Sequence, residues 1–134
     1  MGKYVIVIIV IVGILLIWRY LFRSTDDSVK DVKVNVEIIA TDLLQAYETD
    51  EDEANNLYLN QIIKVTGYVS EIDELESGFS VYLKDNDETS GILCGFSKKS
   101  FSDKSVIVGD SVTIKGLCTG YLLDVVLNKC AWDE

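Results

Sequence analysis

IKVTG at residues 63–67 and VTIKG at residues 112–116 decide the fold. In each, apolar residues alternate with polar ones up to a glycine, the period-two pattern of a strand with one buried face. A strand glycine removes the side chain where the strand must bend sharply or another backbone comes close. A barrel narrow enough to be filled by its own side chains needs such bends. Together with the strand-like stretches between and after them, the pair predicts a small barrel of five strands, closed by its first and fourth. Such a scaffold does not fix an activity.

Working outward, the first strand is expected over 62–73, with Ile63, Val65 and Val69 on one face and Gly67 at the bend. The second runs over 79–84, with Phe79, Val81 and Leu83 inward and Ser80, Tyr82 and Lys84 outward. The polar loop 85–90 leads into a third strand over 91–96, where Ile92, Cys94 and Phe96 share a face. Ser97 is placed to cap a short helix reaching about Val106, and Val108-Gly109-Asp110 makes a turn. The fourth strand spans 111–118, Thr119-Gly120 turns the chain, and the fifth runs from about Leu123 to Trp132. Three strands, a helix and two more strands is the order of an OB barrel, so the expected class is mainly β, a five-stranded OB-fold barrel with short helices.

Before the barrel, Val32, Val34, Val36 and Ile38 alternate with polar residues and read as an extended segment. Thr41 is a plausible N-cap, with Asp42 favoured in the first turn by the helix dipole. Helices are expected near 42–49 and 52–58, joined by an acidic turn. Tyr4 to Ile17 is an unbroken apolar run without a charge, continued past Arg19 by Tyr20, Leu21 and Phe22. At about 1.5 Å per residue, the stretch from Tyr4 to Phe22 spans roughly 28 Å, close to a hydrocarbon core of about 30 Å. Trp18 and Tyr20 suit the headgroup boundary, where Arg19 and Arg23 snorkel. No small-residue cleavage site follows, so an uncleaved transmembrane helix is expected rather than a signal peptide. The expected organisation is an anchor over 1–23, a linker and extended segment over 24–40, a helical leader over 41–60 and the barrel over 61–134.

Residues 24–134 hold nine lysines, no arginine, no histidine and all 22 acidic residues, a net charge of −13. Phosphate contacts dominate nucleic-acid affinity, and a negative field weakens them. Cys94, Cys118 and Cys130 have no zinc spacing and no histidine to complete a site. They are either three buried thiols or one disulfide plus a free thiol; a Cys118–Cys130 bridge would close a loop of about a dozen residues, worth roughly 3 kcal/mol. No nucleophile and base stand at a recognisable spacing, so no enzyme activity and no cofactor are expected. The acidic runs 50–53 and 85–88 lack the glycine and terminal glutamate of a calcium loop, so no metal is expected.

The stretches YLNQIIKVTGYVSEI at 58–72 and GDSVTIKGLCTGYLLDVVLNKC at 109–130 resemble the bacterial tRNA_anti-like family, and TDLLQAYETDEDEANNLYL at 41–59 resembles its leader. The resemblance covers roughly residues 38 to 132. It implies an OB domain tethered to the bacterial inner membrane by a single span and facing the periplasm. It carries over no catalytic residue. The candidate ligand-binding residues come from the strand reading: Tyr68, Tyr82 and Lys84 on outer faces, and Tyr121 and Asp124 beside the turn between the last two strands, a loop that OB barrels use for ligands. Asp124, inside an apolar stretch, needs a hydrogen-bond partner. The expected function is non-catalytic binding of a protein or small polar molecule in the cell envelope. Single-stranded nucleic-acid binding, through aromatic platforms and lysines, is the alternative.

Overall fold

A computed structural model describes residues 2–22 and 28–133. The elements are helix α1 (Gly2–Leu21), strand β1 (Val36–Ile39), helices α2 (Ala40–Thr49) and α3 (Glu51–Tyr58), strands β2 (Ile62–Leu75), β3 (Gly78–Leu83) and β4 (Ile92–Ser97), helix α4 (Lys98–Ser102), and strands β5 (Ser111–Leu122) and β6 (Asp124–Trp132). The strands follow one another around the sheet as β1-β2-β3-β4-β6-β5, and pairing of β2 with β5 closes it. Ile63 lies opposite Gly116 and Gly67 opposite Val112, so the two strands that announced the fold are the ones that close it. The β4–β6 pair is parallel and the other barrel pairs are antiparallel. The fold is a closed five-stranded OB barrel, with β1 added parallel to the outside of β2.

Alternation fills the interior. Ile63, Val65 and Val69 of β2, Val81 and Leu83 of β3, Ile92, Cys94 and Phe96 of β4, Val112, Ile114 and Cys118 of β5, and Val125, Leu127 and Cys130 of β6 are all buried. Helix α2 lays Leu43, Leu44 and Tyr47 into the same core, beside α3. At the opposite end α4 packs against β3, β4 and β6. There Phe101 stacks on Phe79, with ring centroids 4.0 Å apart, and meets Phe96 and Trp132. Both glycines of the paired strands are sites of close approach. A Cβ on Gly67 would lie 2.8 Å from Ala40 Cβ, and one on Gly116 would lie 2.7 Å from Cys130 Sγ.

Several boundaries differ from the sequence reading. Thr41 is not the N-cap of α2. Ile39 holds that place without a side-chain bond, because the chain passes straight from its pairing with Thr66 in β1 into the helix. The cap that does form is Asp50, whose carboxylate accepts from Glu53 N–H at 3.1 Å and starts α3 inside the acidic run. Ser97 caps α4 as expected, but the helix stops at Ser102, where Phe101 C=O accepts from the Trp132 indole N–H at 3.0 Å. Thr119-Gly120 is not the turn. Gly120 (φ 124°) sits at an irregularity in the β5–β6 register, β5 continues to Leu122, and the reversal falls on Leu123 at φ 65°.

A Cys118–Cys130 bridge is not formed; all three cysteines are buried free thiols. The β5–β6 register sets Cys118 opposite Leu127, not Cys130. Its sulfur lies 3.4 Å from Tyr47 Oη, while Cys130 Sγ donates to Leu127 C=O at 3.4 Å. Burial and the adjacent Cys94 thiol push the Cys130 thiol well above its ordinary pKa.

Helix α1 is long and apolar enough to cross a membrane, and none of its residues is buried. Arg23 and the first part of the expected linker, residues 24–27, lie outside the described residues.

Candidate functional site

The five residues singled out in the sequence fall at three places. Tyr82 and Asp124 come together. The Asp124 carboxylate accepts from Tyr82 Oη at 2.6 Å and from Gly91 N–H at 3.0 Å, through the same oxygen. It thereby ties the start of β6 to β3 and to the entry of β4. Partial burial, followed by the bond to Asp124 and the charge of Glu71, pushes the Tyr82 hydroxyl up to about 12. Asp124 thus finds the partners that its apolar setting requires, and Tyr82 is committed to it.

Tyr121 lies elsewhere, stacked on Tyr47 of α2 with ring centroids 5.6 Å apart. It serves as packing between the last hairpin and the leader helix. Tyr47 is buried, and burial together with the Cys118 contact raises its hydroxyl pKa.

Tyr68 and Lys84 form the third place, and here a pocket of about 200 Å³ opens. Lys84 N–H donates to Tyr68 C=O at 3.3 Å, which sets the two residues side by side where β2 parts from β3. One wall is the β1–α2 junction, Ile39 to Thr41. The others are Thr66 to Tyr68, Ser111 and the loop from Lys84 to Glu88. Tyr68 is 58% exposed, more open than Tyr82 or Tyr121. Thr66 Oγ1 and Thr113 Oγ1 lie 3.1 Å apart beside it. Burial is the main force raising the Glu88 carboxyl above its ordinary pKa. The Asp85 backbone and Lys84 oppose that shift, while the charges of Asp85 and Glu48 add to it.

This pocket was half legible in sequence. Tyr68 and Lys84 came from strand alternation. Asp85 and Glu88 show in the sequence only as part of a polar, acidic loop, and the Ile39–Thr41 wall is invisible there because it depends on the parallel docking of β1. By contrast, the outer surface of β3–β4, where OB barrels often take ligands, is bordered by acids. Glu71 and Asp73 of β2 stand opposite Tyr82 and Ser80, and Asp124 closes the other side.

The family model named tRNA_anti-like matches residues 1–132. The chain belongs to the tRNA_anti-like family. Among solved structures, a lipoprotein of Klebsiella pneumoniae, provisionally described as nucleic acid-binding, superposes with a TM-score of 0.62 at 18% identity. The match covers 75% of this chain and 92% of that one, and it shows a shared fold. A protein from Leishmania major, provisionally described as an aspartyl-tRNA synthetase, aligns at TM-score 0.43 and 11% identity, over 78% of this chain and 22% of its own. No curated protein matches the chain.

Proposed function

We propose that this tRNA_anti-like protein is a non-catalytic binding module of the bacterial cell envelope. Helix α1 anchors it as a single span in the inner membrane, the barrel stands on the periplasmic side, and a small polar molecule is its ligand. The observation that carries the reading is the lining of the Tyr68 pocket. An open aromatic ring, a lysine, two carboxylates and the hydroxyls of Thr41, Thr66 and Ser111 converge on about 200 Å³. Most drug-sized sites are larger, at about 300–1,000 Å³, so the space suits a small molecule. A ligand bearing both signs of charge fits best: Lys84 meets its anionic group, while Asp85 and Glu88 meet its cationic one.

The rest of the molecule supports binding over catalysis. The chain has no histidine. Ser100 Oγ donates to Cys130 C=O, and the Cys130 thiol is buried and held protonated, so neither resembles an activated nucleophile.

The alternative is oligonucleotide binding, the property attributed to the Klebsiella lipoprotein. The acids along β3–β4 and a charge of −13 over residues 24–134 speak against it. Titrating the full chain, in detergent, with small zwitterions and with labelled single-stranded DNA and RNA separates the two. The expected result is zwitterion binding that Tyr68→Ala and Lys84→Ala each weaken, with no salt-sensitive shift of the oligonucleotides. Oligonucleotide binding at physiological ionic strength, with no response to zwitterions, would reverse the assignment.

A further inference from the structure

We propose that the end of the barrel carrying α4 docks on anionic headgroups of the membrane that holds α1, through Lys98, Lys99 and Lys129, with α2–α3 turned away. This rests on the reading of α1 as a membrane anchor.

The chain enters the barrel at that end. Val29 N–H donates to Lys129 C=O at 2.8 Å, and Lys115 Nζ donates to Lys30 C=O at 3.1 Å. Ser28 and Lys129 line one groove of about 510 Å³, together with Ser97 at the cap of α4. Six peptide steps separate Phe22 from Ser28. Even fully extended they reach about 20 Å, so this end is held close to the bilayer.

Charge is distributed to match. Lys30, Lys98, Lys99, Lys104 and Lys129 gather at this end. Among the described residues the acids there include Asp31, Glu74, Glu76, Asp103 and Asp133, with Asp103 held by Lys30 and Asp133 by Lys64, and in the sequence Asp26 and Asp27 precede Ser28 and Glu134 follows Asp133. Lys98, Lys99 and Lys129 are exposed and make no salt bridge among the described residues. The opposite end bears Asp42, Glu48 and the run Asp50 to Glu53 on α2–α3, without a lysine on either helix. An acidic body tethered to an anionic surface turns its least negative end toward it. Each lysine near such a surface multiplies the docked population about fivefold.

The three native thiols are buried, so an introduced surface cysteine takes a fluorophore selectively. Full-length Ser102→Cys and Asn56→Cys, labelled and reconstituted in phosphatidylcholine vesicles with or without phosphatidylglycerol, report the two ends through a headgroup-bound quencher. Both positions are exposed. In the anionic vesicles, quenching at residue 102 is expected to exceed that at residue 56 several-fold. Adding Lys98→Glu and Lys99→Glu, or omitting phosphatidylglycerol, should shrink the difference to the smaller one that the tether alone imposes. Equal quenching at the two positions, or a difference indifferent to lipid charge, overturns the docking while leaving the anchor intact. Failure of the chain to float with either vesicle overturns the anchor and the docking with it.

Discussion

Replacing Asp124 tests whether this carboxylate holds the barrel or waits for a ligand. In Asp124→Ala, Tyr82 Oη loses its partner at 2.6 Å and Gly91 N–H its partner at 3.0 Å. Hydrogen bonds to a charged group contribute about 1.5–3 kcal/mol each when dry. Asp124 and Tyr82 are only partly buried, so water recovers some of that and the expected loss is about 2 kcal/mol. With a urea m-value of about 1–3 kcal/mol/M, the midpoint falls by about 1 M. Tyr82→Phe removes one of the two bonds and should cost about 1 kcal/mol, and a double-mutant cycle should return a coupling of about 1 kcal/mol. The assay is urea unfolding of the full chain in detergent, followed by near-ultraviolet circular dichroism of the aromatic cluster. Alkali gives a second reading. The folded-state pKa of Tyr82 is raised from 10.0 to about 12, so the neutral phenol is favoured in the fold. That contribution is complete below pH 10 and is lost as pH climbs toward 12, because the unfolded chain releases the proton first. Tyr82→Phe should therefore lose less stability than the parent chain across that interval. An Asp124→Ala protein within about 0.5 kcal/mol of the parent, with zero coupling to Tyr82, would refute the clamp and return Asp124 to the ligand.

Gly116→Ala should cost about 1–3 kcal/mol in the same assay, since its Cβ meets Cys130 Sγ at 2.7 Å and Leu127 Cβ at 3.0 Å; no loss would mean that β6 yields freely. Gly67→Ala should be similarly destabilising, and Ala40→Gly should restore part of the loss, because the clash is with Ala40 Cβ at 2.8 Å. Leu123→Gly should raise the unfolding free energy by about 0.5–1 kcal/mol, since Leu123 stands at φ 65° with 83% of its surface exposed. Glu88→Gln should stabilise at neutral pH and change little in acid. A carboxyl whose folded pKa is raised favours folding when protonated and loses that advantage as pH rises through the folded value, so a permanently neutral side chain keeps it. A pH-independent effect of Glu88→Gln would place Glu88 in solvent instead.

The sequence carried the barrel because period two and interior burial express the same constraint. Ile63, Val65 and Val69 alternate in sequence and are buried in the structure. It carried the helices less fully. Ile39 begins α2 through a tertiary pairing with Thr66, which no local capping signal reports, whereas Asp50 was hidden among acids that all resemble solvated charge. The hairpin at Leu123 escaped for a related reason. Glycine at 120 is the stronger local turn signal, but the β5–β6 register uses it as an irregularity and forces a leucine into the left-handed region. The candidate site divided along the same line. Outward tyrosines could be named from alternation; which of them stays open could not, because Tyr82 is engaged by Asp124, distant in sequence.

That engagement bears on where a ligand can go. The interior is filled, α2 closes one end and α4 the other, and on the β3–β4 face the Tyr82 hydroxyl is bound and bordered by carboxylates. The Tyr68 pocket is instead built partly by the leader: its wall from Ile39 to Thr41 exists because β1 runs parallel to β2 and delivers Ala40 against Gly67. Gly67 has no positive φ, so backbone freedom does not explain it; the approach of Ala40 does. The glycine whose pattern first indicated a barrel is thus also the residue that lets the leader seat on it. A Cβ there would push the leader wall away from Tyr68 and Lys84. On the proposed reading of the Tyr68 pocket, ligand choice belongs to the junction of leader and barrel, and the closing strands of the OB scaffold need not change.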